Sequence, residues 1–352
     1  MADWTAPMEQ TFEYYTVDPG TWKDVKLLDN ITSCSITRDW NTDTLGSASI
    51  DADEMFGEAY IRVYLITIQN GVRERHPLGT YLIQTPSSSF DGLVKSVSMD
   101  AYTPLIELKE NQPPLGYFIP EGTNVMERVA ELTAEHLRAP VVAASSTTTM
   151  YKNFVSNGDD TWITFLSDAA ISANFYFDLD EMGRVLFAPK QDLASLQPVW
   201  TYTDDNSSIL YPECTVDHDL YGIPNVIEVI YSDSHDMYVA RVVNDNPNSP
   251  ISTVNRGREI TKRIENPELN GVPTQAMVQE YTEQQLESLS TLEYTISYKH
   301  GYNPVRIGDC VRLNYTRAGV TDTKARVISQ SINCESGTPV SEKATFTVKL
   351  WR

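Results

Sequence analysis

Apolar and polar residues alternate with a period of two over long stretches at both ends of the chain, the spacing of strands with one buried face. Between residues 59 and 86 the run AYIRVYLITIQNGVRERHPLGTYLIQTP places Ile61, Val63 and Leu65 on one side and predicts a long hairpin. Asn70-Gly71 supplies the positive φ angles of a tight turn, and Pro77-Leu78-Gly79 leads into the return strand. The same period runs through Cys34 and Ile36, through Ala48, Ile50 and Ala52, and through Val97, Met99 and Ala101. Strands of this kind have to close around a core or stack on a second sheet. A first β-barrel domain over residues 1–110 is the expectation.

The segment Asn111-Gln-Pro-Pro-Leu-Gly116 breaks the pattern and marks a boundary. Beyond it Val125, Val129, Leu132 and His136 recur at helical spacing, with Pro140 closing the segment. A second helix is predicted from about Asp160 to Ala173, where Trp162, Phe165, Leu166 and Ala169 share a face and Asp159 and Asp160 suit the positive end of the helix dipole. Phe175 to Phe187 reads as strand, turn at Gly183 and return strand, giving an α+β insert domain over residues 111–200. Strands resume at Val226–Tyr231, at Met237–Val243 and around Ile251 to Ile264, followed by a helix over Thr274–Leu289. Leu292, Tyr294, Ile296 and Tyr298 then alternate with polar residues, as do Phe346, Val348 and Leu350. Pro304-Val-Arg-Ile-Gly-Asp-Cys-Val311 again sets a Pro and a Gly ahead of a strand. Residues 201–352 therefore read as a second β-barrel domain carrying one helix. The fold class is mainly β with an α+β insert, and no tandem repeat or heptad array points to a solenoid or fibre.

A length of 352 residues argues for two or three domains, and 41% hydrophobic residues are enough to build cores. Acidic residues number 48 against 27 basic ones, so a net charge of -21 opposes binding to nucleic-acid phosphates and keeps the protein soluble. Cys34, Cys214, Cys310 and Cys334 show neither CxxC pairs nor zinc spacing and read as reduced, buried small hydrophobes. The N-terminal MADWTAPMEQTFEYY lacks the pattern of a secretory signal, and no apolar run approaches the roughly 20 residues of a membrane span. A soluble protein made in a cytoplasm is expected. The sequons at Asn30, Asn206 and Asn314 are short patterns that arise by chance.

No catalytic, cofactor-binding or metal-ligating residue is predicted. Asp51, Asp53 and Glu54, and separately Asp178, Asp180 and Glu181, offer hard oxygen ligands but lack the ligand spacing of a calcium loop, so solvated turns are the preferred reading. His76, His136, His218, His235 and His300 form no HExxH or close pair, and His136 on its helix stripe reads as a hydrogen-bonded core histidine. No GxSxG elbow and no glycine-rich phosphate loop is present. Trp4, Trp22, Trp40, Trp162, Trp200 and Trp351 are spread along the chain as separate core or interface anchors rather than a sugar-binding platform.

Three phrases together carry a family likeness: Tyr64 to Pro86 with its Asn-Gly turn and Pro-Leu-Gly-Thr-Tyr-Leu-Ile; Asp160 to Pro189, a Trp-bearing helix followed by FYFDLDEMGRVLFAP; and Ile223-Pro-Asn-Val-Ile-Glu-Val-Ile with the later Val305-Arg-Ile-Gly-Asp-Cys-Val. In this order the chain resembles the baseplate or tail hub proteins of tailed bacteriophages and related contractile injection particles, in the short hub form of Gram-positive phages and prophages. The resemblance implies a non-enzymatic homotrimer whose chains each contribute two tube-type β-barrel domains, flanking a smaller mixed domain. Three copies would form a ring of six that matches a hexameric tail tube on one side and seats a trimeric spike or tip on the other. It further implies a virion location, assembly in the host cytoplasm, contacts to tube, spike or tip and tape-measure proteins, and an acidic channel for genome passage. A receptor- or carbohydrate-binding tail protein is the second reading and a cell-wall glycosidase or peptidase the third.

Overall fold

The computed structural model describes the chain apart from residues 1, 91, 93–94, 206–207, 219–220, 233–236, 268–273, 290 and 350–352. In chain order the first strands are β1 (Glu9–Val17), β2 (Asp24–Leu28), β3 (Ile31–Asp39), β4 (Gly46–Ala52), β5 (Tyr60–Gln69), β6 (Val72–Phe90) and β7 (Lys95–Tyr102). The mixed segment follows with α1 (Ile106–Lys109), β8 (Phe118–Ile119), α2 (Val125–His136), β9 (Phe154–Val155), α3 (Trp162–Ser172), β10 (Phe175–Leu179) and β11 (Val185–Pro189). Then come β12 (Trp200–Thr203), β13 (Leu210–His218), β14 (Val226–Ser232), β15 (Met237–Val243), α4 (Thr253–Arg256), β16 (Thr261–Glu265) and α5 (Gln275–Leu289). The chain closes with β17 (Thr291–Gly301), β18 (Cys310–Tyr315), β19 (Val320–Asn333) and β20 (Pro339–Lys349). Val348, Leu350 and Trp351, like Leu292, lie outside the described side chains.

Two compact units result, one of residues 1–214 with 298–344 and the other of residues 215–297 with 345–352. The first unit thus takes in the early strands, the mixed segment and much of the last strands. Its large sheet runs β2-β1-β5-β6-β7-β4-β3-β19-β20-β17-β13, the last three strands entering with the residues that belong to this unit. Along one edge β19 pairs first with β18 (Val320 to Arg326) and then with β3 (Ser329 to Asn333), and β12 lies parallel to β18. No closed barrel forms among the described residues. The reason is visible at β3: its second edge is taken by β19, nearly 300 residues away, so the early ladder runs on instead of returning to β2.

The predicted hairpin is β5 with β6, turned by Asn70 (φ 52°) and Gly71 (φ 78°). Leu78 is an extra residue in β6: Tyr64 faces Pro77 and Val63 faces Gly79, so Pro-Leu-Gly makes a bulge. Ile61, Val63 and Leu65 point into a core shared with Ile36, Ile50, Val97, Met99 and Ile332. A second core joins the sheet's other face, through Val17, Trp22, Tyr60 and Leu82, to α2 and α3. Both helices start on side-chain caps. Asn124 accepts from Glu127 N at 3.1 Å, and Thr161 with Thr164 forms a capping box. The cap of α3 is therefore Thr161, one residue inside the predicted start.

The second unit, described by itself, has a three-stranded sheet β15-β14-β16, antiparallel on one side and parallel on the other. Ile227, Val229 and Ala240 pack beneath Val278 and Leu286 of α5. The segment around Ile251 to Ile264 is a helical turn, capped by Ser252 and ended at Gly257 (φ 63°), followed by β16.

Candidate assembly surface

The mixed segment is held to the large sheet by two arginines. Arg62 on β5 is 1% exposed; its Nε donates to Thr80 Oγ1 at 2.8 Å, and its terminal nitrogens reach Asp24 Oδ1 at 2.7 Å and the carbonyl of Met182 at 3.1 Å. Trp22 Nε1 also donates to Met182 O, at 2.8 Å, so the turn between β10 and β11 is gripped from two sides. Gly183 sits there with φ 74°, where a Cβ would stand 2.7 Å from Thr80 Cβ. Arg306, in the turn before β18, pairs with Asp178 at 3.2 Å and Glu181 at 2.9 Å and donates to Leu179 O. Burial raises the carboxyls of Asp178 and Asp309 above the usual carboxylate range, against the pull of Arg306. A cavity of about 200 Å³ borders this cluster, lined by Trp40, Tyr176, Leu196, Val199, Arg306 and Arg326 among others.

A polar network is sealed in the sheet. Glu342, 1% exposed, accepts from Tyr298 Oη, from Gln330 Nε2 at 2.6 Å, and lies 3.4 Å from His300 Nε2. Tyr202 and Asn303 complete it, and Arg38 donates to Gln330 Oε1 at 3.1 Å. Such a buried, mutually satisfied set fixes strand register rather than offering a reactive group to solvent.

The outer features are of another kind. β2 is a short edge strand that pairs only with β1 among the described strands, and it exposes Val25 (67%) and Leu27 (47%). The far ends of β6 and β7 form a two-stranded arm with paired Ser87–Ser98 and Ser89–Ser96 and with Phe90 70% exposed. Leu115 in the Pro-Pro-Leu-Gly boundary is 92% exposed. Unpaired edge groups and single large apolar side chains on projecting segments are what β-mediated assembly uses.

Members of both acidic clusters noted in the sequence are engaged within the chain. Asp51 accepts from Ser33 Oγ at 2.6 Å, and Asp180 accepts from Met182 N and Arg184 N and pairs with Arg184 Nε at 2.5 Å. His136 does not make the hydrogen-bonded core contact expected of it; it stacks on Trp162 at 4.1 Å and is half-buried at the end of α2. His76 packs edge-on against Trp4, and His300 belongs to the Glu342 network, while the side chains of His218 and His235 lie outside the described residues. Trp4, Trp22, Trp40 and Trp162 each have their own aromatic partner: His76 and Tyr302, Tyr60, Tyr176, and Tyr117. Arg62, Arg306 and Glu342 escaped the sequence reading, since a charged residue in a strand carries no mark of burial; only the polar break at Arg62 within an apolar run hinted at one.

The fold can be set beside solved structures. The chain aligns with the tail protein from Neisseria meningitidis MC58 over 97% of its own length and 98% of that protein's, with a TM-score of 0.65 at 14% identity. The 43 kDa tail protein of prophage MuSo2 from Shewanella oneidensis aligns over 95% and 98%, with a TM-score of 0.64 at 12% identity. This chain has the tail-protein fold. A chain of the Francisella PdpA-VgrG complex aligns over 96% of this chain and 53% of its own, with a TM-score of 0.56 at 9% identity. No protein-family model matches the sequence, and no curated protein matches it. Among the described residues no helix is long and apolar enough to cross a membrane.

Proposed function

We propose that this protein is a structural hub of a phage or phage-like tail, non-enzymatic and homotrimeric, located in the virion and assembled in the host cytoplasm. Regions 1–110 and 201–352 each take the place of one tube subunit, with region 111–200 as the insert facing other baseplate components. Three copies then present six tube-like elements to a hexameric tail tube and three equivalent seats to a spike or tip. The observation that carries this reading is the fold match to tail proteins along nearly the full length of both chains, at 97% and 98%. The free edge of β2 and the β6–β7 arm support it, because a ring needs edges that a neighbour can extend. The excess of 48 acidic over 27 basic residues supports an acidic channel through which a genome slides without sticking.

The test is co-expression with candidate tail tube and spike proteins, followed by native mass measurement and averaged end-on images. Three copies with six densities around a channel are expected. A protein that stays monomeric with every such partner, or binds a cell-wall glycan without associating with tube protein, sinks the hub reading.

A further inference from the structure

Cys34 on β3 and Cys334, just past the end of β19, face each other across the seam where the early strands meet the late ones. The ladder pairs Ser35 with Asn333 and Ile36 with Ile332, and Cys334 N donates to Cys34 O at 2.9 Å, so the two cysteines form the next rung. Both side chains pack on the core face that holds Ile36 and Ile332. Hydrogen-bonded antiparallel neighbours have Cα atoms about 5.5 Å apart. Disulfides span roughly 4.4–6.8 Å between Cα atoms. Tyr14 belongs to the same core cluster as the two cysteines. All four cysteines of the chain are free thiols in this structure.

We propose that Cys34 and Cys334 are a disulfide-forming pair, which closes when the folded protein meets an oxidised low-molecular-weight disulfide and clasps β3 to β19. Cys334 is half-buried and Cys34 buried, so the exchange begins at Cys334. Its thiolate attacks one sulfur of oxidised glutathione, releasing one glutathione thiolate and leaving a mixed disulfide. Cys34 then loses its proton, and its thiolate attacks the Cys334 sulfur, expelling the second glutathione. Two protein thiols are oxidised and one glutathione disulfide is reduced to two thiols. The neighbouring Cys334 thiol, and burial, raise the Cys34 thiol above its ordinary value. Cys310 faces Arg326 across its strand pair.

The test uses the full chain, purified reduced and then incubated with oxidised glutathione at about pH 8, where thiolates form. After alkylation and trypsin digestion without reduction, residues 27–38 should appear linked to residues 327–343, and the link should vanish with reductant. Titratable thiols in the denatured protein should fall from the four of the sequence by one pair. Oxidation should raise the apparent unfolding temperature by about 5 °C or more, because the closed loop is long. Cys334→Ser, at the half-buried position, should abolish that rise. Persistence of all four thiols, a stable glutathione adduct on Cys334, or a link between other cysteines would overturn the proposal. The peptide map needs only the unsubstituted protein, so a variant that fails to fold does not shield it.

Discussion

At the scale of single residues, a few buried charges are the positions most sensitive to loss of a partner. Arg62 has two carbonyls, a hydroxyl and the Asp24 carboxylate as partners, and only 1% of it is exposed. Arg62→Ala should lower the unfolding free energy by about 3 kcal/mol in urea titration, since it strands those acceptors. Glu342→Gln is the complementary case. The amide brings donors to positions where Tyr298 Oη and Gln330 Nε2 already donate. A loss of about 2 kcal/mol by the same measurement is expected. Asp309 gives a pH signature. Burial raises its carboxyl above the ordinary carboxylate range, so between the unfolded and folded values the native state holds more protons and stability falls as pH rises. Asp309→Asn removes that penalty. Relative to the unsubstituted protein it should gain stability between about pH 4 and pH 7, and equal differences at both pH values would refute the assignment.

At the scale of elements, two glycines show why turns were readable from sequence. Gly79 follows the Leu78 bulge, and a Cβ there would stand 2.3 Å from Tyr81 Oη. Gly308 has φ 87°, and its Cβ would stand 2.8 Å from Trp40 Cζ3. Gly308→Ala should therefore cost about 2 kcal/mol, seen as an earlier urea midpoint with a shift in tryptophan emission as Trp40 is displaced. The hairpin of β5 and β6, helices α2, α3 and α5, and strand β15 were legible because each rests on local chemistry: a turn pair, a cap, a period. The parallel pairing of β12 with β18 and the bulge at Leu78 were not, because register against a distant strand leaves no local trace. The assembly surface was legible only in part. Alternation announced strands with one buried face, without saying which would end as an edge or that β2 is the outermost.

At the scale of the whole molecule, the two units differ in how much they bury. The sheet cores of the first unit draw on strands, helices and both ends of the chain, whereas the second rests on a small cluster under α5. Amide hydrogen exchange should accordingly be faster by orders of magnitude in β14 than in β5, and equal protection of the two would contradict this hierarchy. Closed barrels were the expectation that local pattern could not decide, since alternation fixes which face is buried but not which strand comes next. Finally, the marriage of β3 to β19 has a price during synthesis. Ile36 and Ile50 leave the ribosome early, yet the neighbour that covers this flank is not translated until residues 329–333 appear. The nascent chain must keep a sticky ladder edge unsatisfied for most of its translation, and so long-range a pairing is of the kind that slows folding.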